Sequence, residues 1–195
     1  MTRVLVVHCH PDRDSFVAAC RDRALAGLST AGHEVRVTDL YADGFDPAMS
    51  AGERLAHKEP GVAQELQRYA DDLQWAQALV LVYPTWWSGQ PAMLKGWIDR
   101  VWVAGVAWEL PPGKNVIRPL LTHLRRIVVV TTHGSSKLIN ALEGESGKRT
   151  VTRSLRAMCS KRTRTTWCAV YGLDTASAED RDRFLERVER RLARL

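Results

Sequence analysis

Three short stretches gather the side chains able to do chemistry: "HCHPDRDSF" at 8–16, "YPTWWSG" at 83–89 and "TTHGSSK" at 131–137. In the first, His10, Asp14 and Ser15 stand just before a helix-length stretch. Free backbone N–H groups and the positive dipole end there favour a phosphate, which Ser15 could hydrogen-bond. Capping of the helix by Asp14 or Ser15 is the competing structural reading. His8 and His10, two apart at a strand end, suggest a metal pair, but no third ligand stands nearby and no metal site is expected. In the second stretch Trp86 and Trp87 are adjacent, within a region, residues 83–102, that holds four of the seven tryptophans. Neighbouring tryptophans usually serve a core or an interface. Here the pair lies between Pro84 and Gly89-Gln90-Pro91, directly after an apolar run, and a planar aromatic ligand explains it better than a core does.

An isoalloxazine ring would need a flat apolar wall and backbone N–H donors along its pyrimidine edge, which a tight aromatic loop supplies. The first stretch contains neither GxGxxG nor GxxxxGK[ST], so a Rossmann dinucleotide fingerprint and a P-loop are both excluded.

The elements that must position these loops follow from pattern. Val-rich apolar runs at "RVLVVH", "HEVRVTDLY", "ALVLVYP", "RIVVVTTHG" and "RTTWCAVYG" predict five strands. Helix-length stretches separate or follow them, at about 14–31, 62–76, 91–103, 147–159 and from 178 on. Strand alternating with helix implies a doubly wound α/β parallel sheet with helices on both faces, the near-continuous apolar strands being buried on both sides. In such a sheet the ligand binds outside the carboxyl ends of the strands, where all three chemical stretches fall.

With 195 residues the chain fits one domain, 1–195, and no loop is long enough for a convincing linker. No apolar run approaches a membrane span, and the N-terminus lacks the pattern of a secretory signal, so a cytoplasmic protein is expected. Cys9, Cys20, Cys159 and Cys168 form no CxxC pair and read as reduced, buried thiols. The net charge of +6 attracts anions of many kinds without choosing among them. "RDRFLERVERRLARL" alternates its charges and carries Phe184, Leu185, Val188 and Leu192 at helical spacing, and "KRTRTTW" reads as the approach to a strand. Neither is a nucleic-acid surface, and no nucleic-acid partner is expected. Ser177 and Asp180 form a capping-box start for the last helix. In "LKGWIDRVW", Leu94, Trp97, Ile98 and Val101 should face the core, leaving Lys95, Asp99 and Arg100 to solvent or a partner subunit.

Four stretches, "HPDRDSF", "DLYADGFDP", "YPTWWSGQPAMLKGWIDRVWVAGVAW" and "VVTTHG", resemble the flavin-dependent NAD(P)H:quinone oxidoreductases of the flavodoxin-like fold, which include DT-diaphorase and the ancillary oxidoreductases of bacterial potassium-efflux systems. The resemblance implies a flavodoxin-like five-stranded sheet, tightly bound FAD or FMN, NADH or NADPH as hydride donor, a quinone-like acceptor, and a homodimer with its active site at the subunit interface. Carried onto this chain, His10, Ser15 and Phe16 would hold the phosphate-ribose region. Pro84, Thr85, Trp86 and Trp87 would line the ring, and Thr131, Thr132 and Gly134 would approach its other polar edge.

Departures from the family pattern are equally specific. Thr131-Thr132-His133-Gly134 replaces Thr-Thr-Gly-Gly. "SSKLINALEG" shows no counterpart of the Tyr and His that assist hydride transfer in DT-diaphorase-like members. Trp108 stands where a Tyr often lines the substrate pocket. His133 is thus the candidate catalytic residue, with Lys137 and Asn140 as further substrate or nicotinamide contacts. Two other classes fit the same resemblance: a flavodoxin-type electron carrier, disfavoured by the basic charge, and a regulatory flavoprotein docking on a membrane transporter.

Overall fold

The computed structural model describes residues 1–195. In chain order the elements are β1 (Arg3–His8), α1 (Phe16–Thr30), β2 (Glu34–Asp39), α2 (Ala51–Leu55), α3 (Gln67–Trp75), β3 (Ala78–Pro84), α4 (Ala92–Val101), β4 (Trp108–Glu109), β5 (Arg118–Pro119), β6 (Arg126–Thr132), α5 (Lys137–Leu142), α6 (Ser146–Arg149), β7 (Arg164–Val170) and α7 (Ala178–Leu192). The main sheet has the order β2-β1-β3-β6-β7, with every pairing parallel. This is the five-stranded, flavodoxin-like α/β arrangement, each strand arising from one of the five apolar runs.

Alternation along the strands builds two cores. Val4, Val6, Val80, Val82, Val128 and Val130 pack against Val17, Leu28 and Ala24 of α1 and Phe184, Val188 and Leu192 of α7. The intervening positions, Leu5, Val7, Leu79, Leu81 and Val129, meet Leu73 of α3 and Leu94, Trp97 and Val101 of α4. β3, in the middle of the sheet, is buried along its whole length, whereas edge strand β2 leaves Val37 half exposed. No helix is long and apolar enough to cross a membrane.

Several local expectations are met in detail. Ser177 and Asp180 form a reciprocal capping box at α7. All four cysteines are free and buried, and burial pushes the thiols of Cys9, Cys20 and Cys159 up to about 12. Others are corrected. The stretch expected as one helix over 147–159 starts as α6 and continues as a π-helical segment, Thr150–Leu155. Arg100 is buried rather than solvent-facing. Its Nε donates to Glu53 (2.7 Å), Nη1 to the carbonyl of Asp46, and Nη2 to Glu65 (3.4 Å). Lys95 and Asp99 do face outward, bonded to each other at 2.6 Å.

The chain passes from β1 outward to β2 and then crosses to β3 on the other side of β1. A crevice opens outside the carboxyl ends of strands at such a reversal.

Candidate functional site

A cleft of about 590 Å³ lies at that reversal, lined by His10, Ser15, Phe16, Val17, Pro84, Thr85, Trp86, Trp87, Thr132, Gly134, Leu173 and Asp174. Its residues come from the ends of β1, β3, β6 and β7, four elements far apart in sequence. All the residues expected around the cofactor line it except Thr131. That side chain is buried behind the wall, its hydroxyl 2.9 Å from Thr85 Oγ1.

On the β1 side, Ser15 caps α1, its Oγ accepting the N–H of Ala18 at 3.1 Å. The capping reading of Ser15 is therefore realised, and its hydroxyl proton remains able to reach an anion at the helix dipole. His10 Nδ1 lies 3.0 Å from both the backbone N and the carbonyl oxygen of Asp12, a contact that leaves Nε2 as the ring nitrogen turned away from the chain's own loop. His8 is not its neighbour in function. Its ring is buried and bonded through Nδ1 to Asp39 at 3.1 Å. Burial pushes His8 below the ordinary histidine value, so this contact is a neutral imidazole N–H donating to a carboxylate.

The tryptophan pair is not core. Trp86 is 43% exposed and Trp87 fully exposed. The two open a tight four-residue turn in which Trp86 and Gly89 exchange backbone hydrogen bonds (3.2 and 3.0 Å). Trp87 and Ser88 both adopt positive φ, 49° and 58°, a left-handed pair that costs bulky residues on the order of 1–3 kcal/mol each. The surrounding chain holds the turn there. The Ser88 carbonyl accepts the Gly147 N–H (2.8 Å) and Ser146 Oγ (2.7 Å), Ser88 Oγ donates to Glu143, and Gln90 Nε2 donates to the Gly147 carbonyl (2.8 Å). A Cβ on Gly147 would come within 3.1 Å of Gly89 Cα, so any larger residue would push the turn outward by a few tenths of an ångström.

The backbone N–H groups of Trp87, Ser88 and Gly134 have no acceptor in the chain. A Cβ on Gly134 would lie 2.6 Å from Asp174 Oδ2, so any other residue there would displace that carboxylate. Free N–H donors, an exposed indole and a helix N-terminus together fit a flat, polar-edged ring carrying a phosphate.

The remaining candidates lie elsewhere. His133 does not line the cleft; it is 5% exposed and stacked on Tyr171 (4.4 Å between rings). Its Nδ1 is 2.7 Å from Asn140 Oδ1, so Asn140 contacts His133 and not a ligand in the cleft. Lys137 starts α5 and points to solvent, and Trp108 is half-buried, its Nε1 donating to the Trp102 carbonyl (3.2 Å) and its ring 5.4 Å from His57. Leu173 and Asp174, after β7, were missed; their only sequence signal was their position following the fifth strand.

Comparison with known proteins identifies the class. The family described as having a flavodoxin-like fold matches residues 2–195, and the chain belongs to it. Among individual relatives, NAD(P)H dehydrogenase (quinone) 1 of Rattus norvegicus is 30% identical over 166 residues, covering 76% of this chain and 60% of that protein. The chain thus spans about 60% of the length of the curated relatives it matches first. Among solved structures, the NAD(P)H:quinone oxidoreductase of Methanothermobacter marburgensis is 26% identical with a TM-score of 0.84, covering 98% of this chain and 96% of that one. Smu.1420 of Streptococcus mutans UA159 is 28% identical with a TM-score of 0.85, covering 99% and 100%.

Proposed function

We propose that this protein is a flavin-dependent oxidoreductase that takes hydride from NADH or NADPH and delivers two electrons to a quinone or similar acceptor. The observation that carries the reading is the cleft at the strand reversal. It gathers an exposed tryptophan on a strained turn, free backbone donors and a capped helix N-terminus, and the relatives above include proteins named for this chemistry.

In this reading His10, Ser15 and Phe16 hold the phosphate-ribose end of FAD or FMN. Pro84, Thr85, Trp86 and Trp87 line the ring, and Thr132 and Gly134 meet its opposite edge. The bound flavin supplies the hydride-accepting centre. The chain's own contribution is to orient that ring, to offer backbone N–H donors where negative charge accumulates, and to restrict the approach of water. No acid–base triad is needed for this. The cleft's single carboxylate, Asp174, sits against Gly134 at the edge of the wall.

The protein acts as a single unit in a reducing, cytoplasmic setting, which the four free buried cysteines suit. It works as a homodimer. The exposed apolar surface of Trp87, Leu138 and Leu142 supports this reading, in which Trp108, outside its own chain's cleft, would serve a second copy. If both substrates occupy one cleft in turn, steady-state assays varying NAD(P)H and quinone should give parallel double-reciprocal lines. Intersecting lines would mean that both substrates are bound together and would overturn the single-cleft alternation, whereas no turnover of NAD(P)H with any quinone would overturn the enzymatic reading.

A further inference from the structure

The residue that departs most clearly from the family pattern, His133, sits behind the cleft wall, where its hydrogen bonds have a direction. Asn140 Nδ2 donates to the Ser136 carbonyl (2.9 Å) and toward Ser135 (3.3 and 3.4 Å), which fixes its amide so that Oδ1 faces His133. A carbonyl oxygen can only accept, so at 2.7 Å the proton must be on His133 Nδ1. The other ring nitrogen, Nε2, is then a pure acceptor in the neutral ring. Its partner is the Thr85 hydroxyl at 3.4 Å, and that hydroxyl also lies 2.9 Å from Thr131 Oγ1. With the Thr85 proton committed to His133, Thr131 must donate to Thr85.

Resting on the flavin reading above, we propose that His133 is a positioning residue. It forms the middle of a one-way relay from Thr131 through Thr85, His133 and Asn140 to the Ser136 carbonyl, which turns the Thr85 proton inward and presents Thr85 to the ligand as a hydrogen-bond acceptor. Thr85 is the member of the relay that lines the cleft. The ring cannot swing out to do chemistry itself. It stacks on Tyr171, and its backbone N–H and carbonyl are bonded to Val170 (2.9 Å) and Leu173 (3.0 Å). Burial lowers the affinity of His133 for a second proton, an effect that its bond to Asn140 opposes only in part, which keeps the ring neutral as the relay requires. The nearby charges oppose one another as well, Glu145 and Glu143 against Lys148. The relay joins the loop after β3 to the segment after β6, so the exchange of a family glycine for His133 ties together two cleft walls.

The test uses the full chain stripped of flavin. The ¹⁵N spectrum of its imidazoles should show His133 neutral with Nδ1 protonated, and Asn140→Leu should abolish that fixed tautomer. A protonated Nε2 or a charged ring in the wild-type protein overturns the relay. Flavin affinity, read by fluorescence quenching, should fall about fivefold to tenfold in Thr85→Val and in His133→Phe, which keeps the stack on Tyr171. The double variant should fall by no more than either single one, because both remove the same interaction. Additive losses, about 25-fold or more in the double variant, would place His133 in direct contact with the ligand or in a general structural role, and would overturn the proposal. Should the wild-type chain take up no flavin, the functional reading fails, while the imidazole spectrum still decides the relay.

Discussion

Two of the molecule's hollows treat their polar groups in opposite ways. One, about 320 Å³, is lined by Met49, Glu53, His57, Pro60, Arg100 and Val103, among others. Its buried cation is answered: Arg100 is bonded to Glu53 in the same wall and to Glu65 beside it, and Glu53 completes a capping box with Ser50 at the start of α2. The other is the cleft at the strand ends. There the N–H groups of Trp87, Ser88 and Gly134 are left without acceptors, an indole stands fully exposed, and two residues are held in left-handed backbone. Concavity alone does not mark a site. Backbone donors left free for a ligand in place of water, together with maintained strain, point to one, because strain persists where the surrounding structure holds it for a role.

If that contrast is right, substitutions should separate stability from ligand affinity. The largest effect belongs to the Arg100 hollow. Arg100→Ala strands a half-desolvated Glu53 and should cost about 2–4 kcal/mol in chemical denaturation, with flavin affinity changed less than about twofold. A comparable loss of flavin affinity would join the two hollows and break the comparison.

The converse should hold for the turn. Replacing both Trp86 and Trp87 with Ala should weaken flavin binding about 10²-fold, taking about 1.5 kcal/mol for each aromatic contact. The stability of the apo protein should change by less than about 1 kcal/mol, as for other exposed positions. Equal damage to apo stability with unchanged flavin affinity would return the pair to a structural role.

A smaller effect distinguishes the regions by pH. Burial depresses His133 and His8 below 6.5, so the unfolded chain takes up protons first as pH falls, and the stability these residues contribute is lost from about 6.5 downward. Burial raises Glu53, but its bonds to Arg100 and Ser50 outweigh this and hold it below 4.5. The contribution of the Arg100 hollow is therefore present above that value and lost only at more acid pH. Unfolding series in the apo protein should show two acid steps, the upper one reduced by His133→Phe and the lower one by Glu53→Gln. A single step insensitive to both substitutions would contradict the assignment.

Much of this was legible from the sequence because it rests on local pattern. The run at 78–84 and the Ile-Val-Val-Val segment at 127–130 are continuously apolar, as interior strands are, and the residues after them fall at the strand ends. Trp86 and Trp87 stood out because they fit no periodic core pattern. What escaped depends on partners distant in sequence. Arg100 looked exposed from its own helix because Glu53 and Asp46 arrive from a different part of the chain. The orientation of His133 is set by Asn140 and Tyr171. α2 and α5, of five and six residues, are too short to display a helical period.

The central claim is that the strand-end cleft binds flavin, and titration of the flavin-stripped protein tests it most directly. FAD and FMN are each added while flavin fluorescence is followed, and the flavin released by heating the protein as purified is identified by mass spectrometry. The account predicts saturation at about one flavin per chain, with quenching that is lost when Trp86 and Trp87 are both Ala. A protein that carries no flavin as purified and takes up neither FAD nor FMN would contradict it.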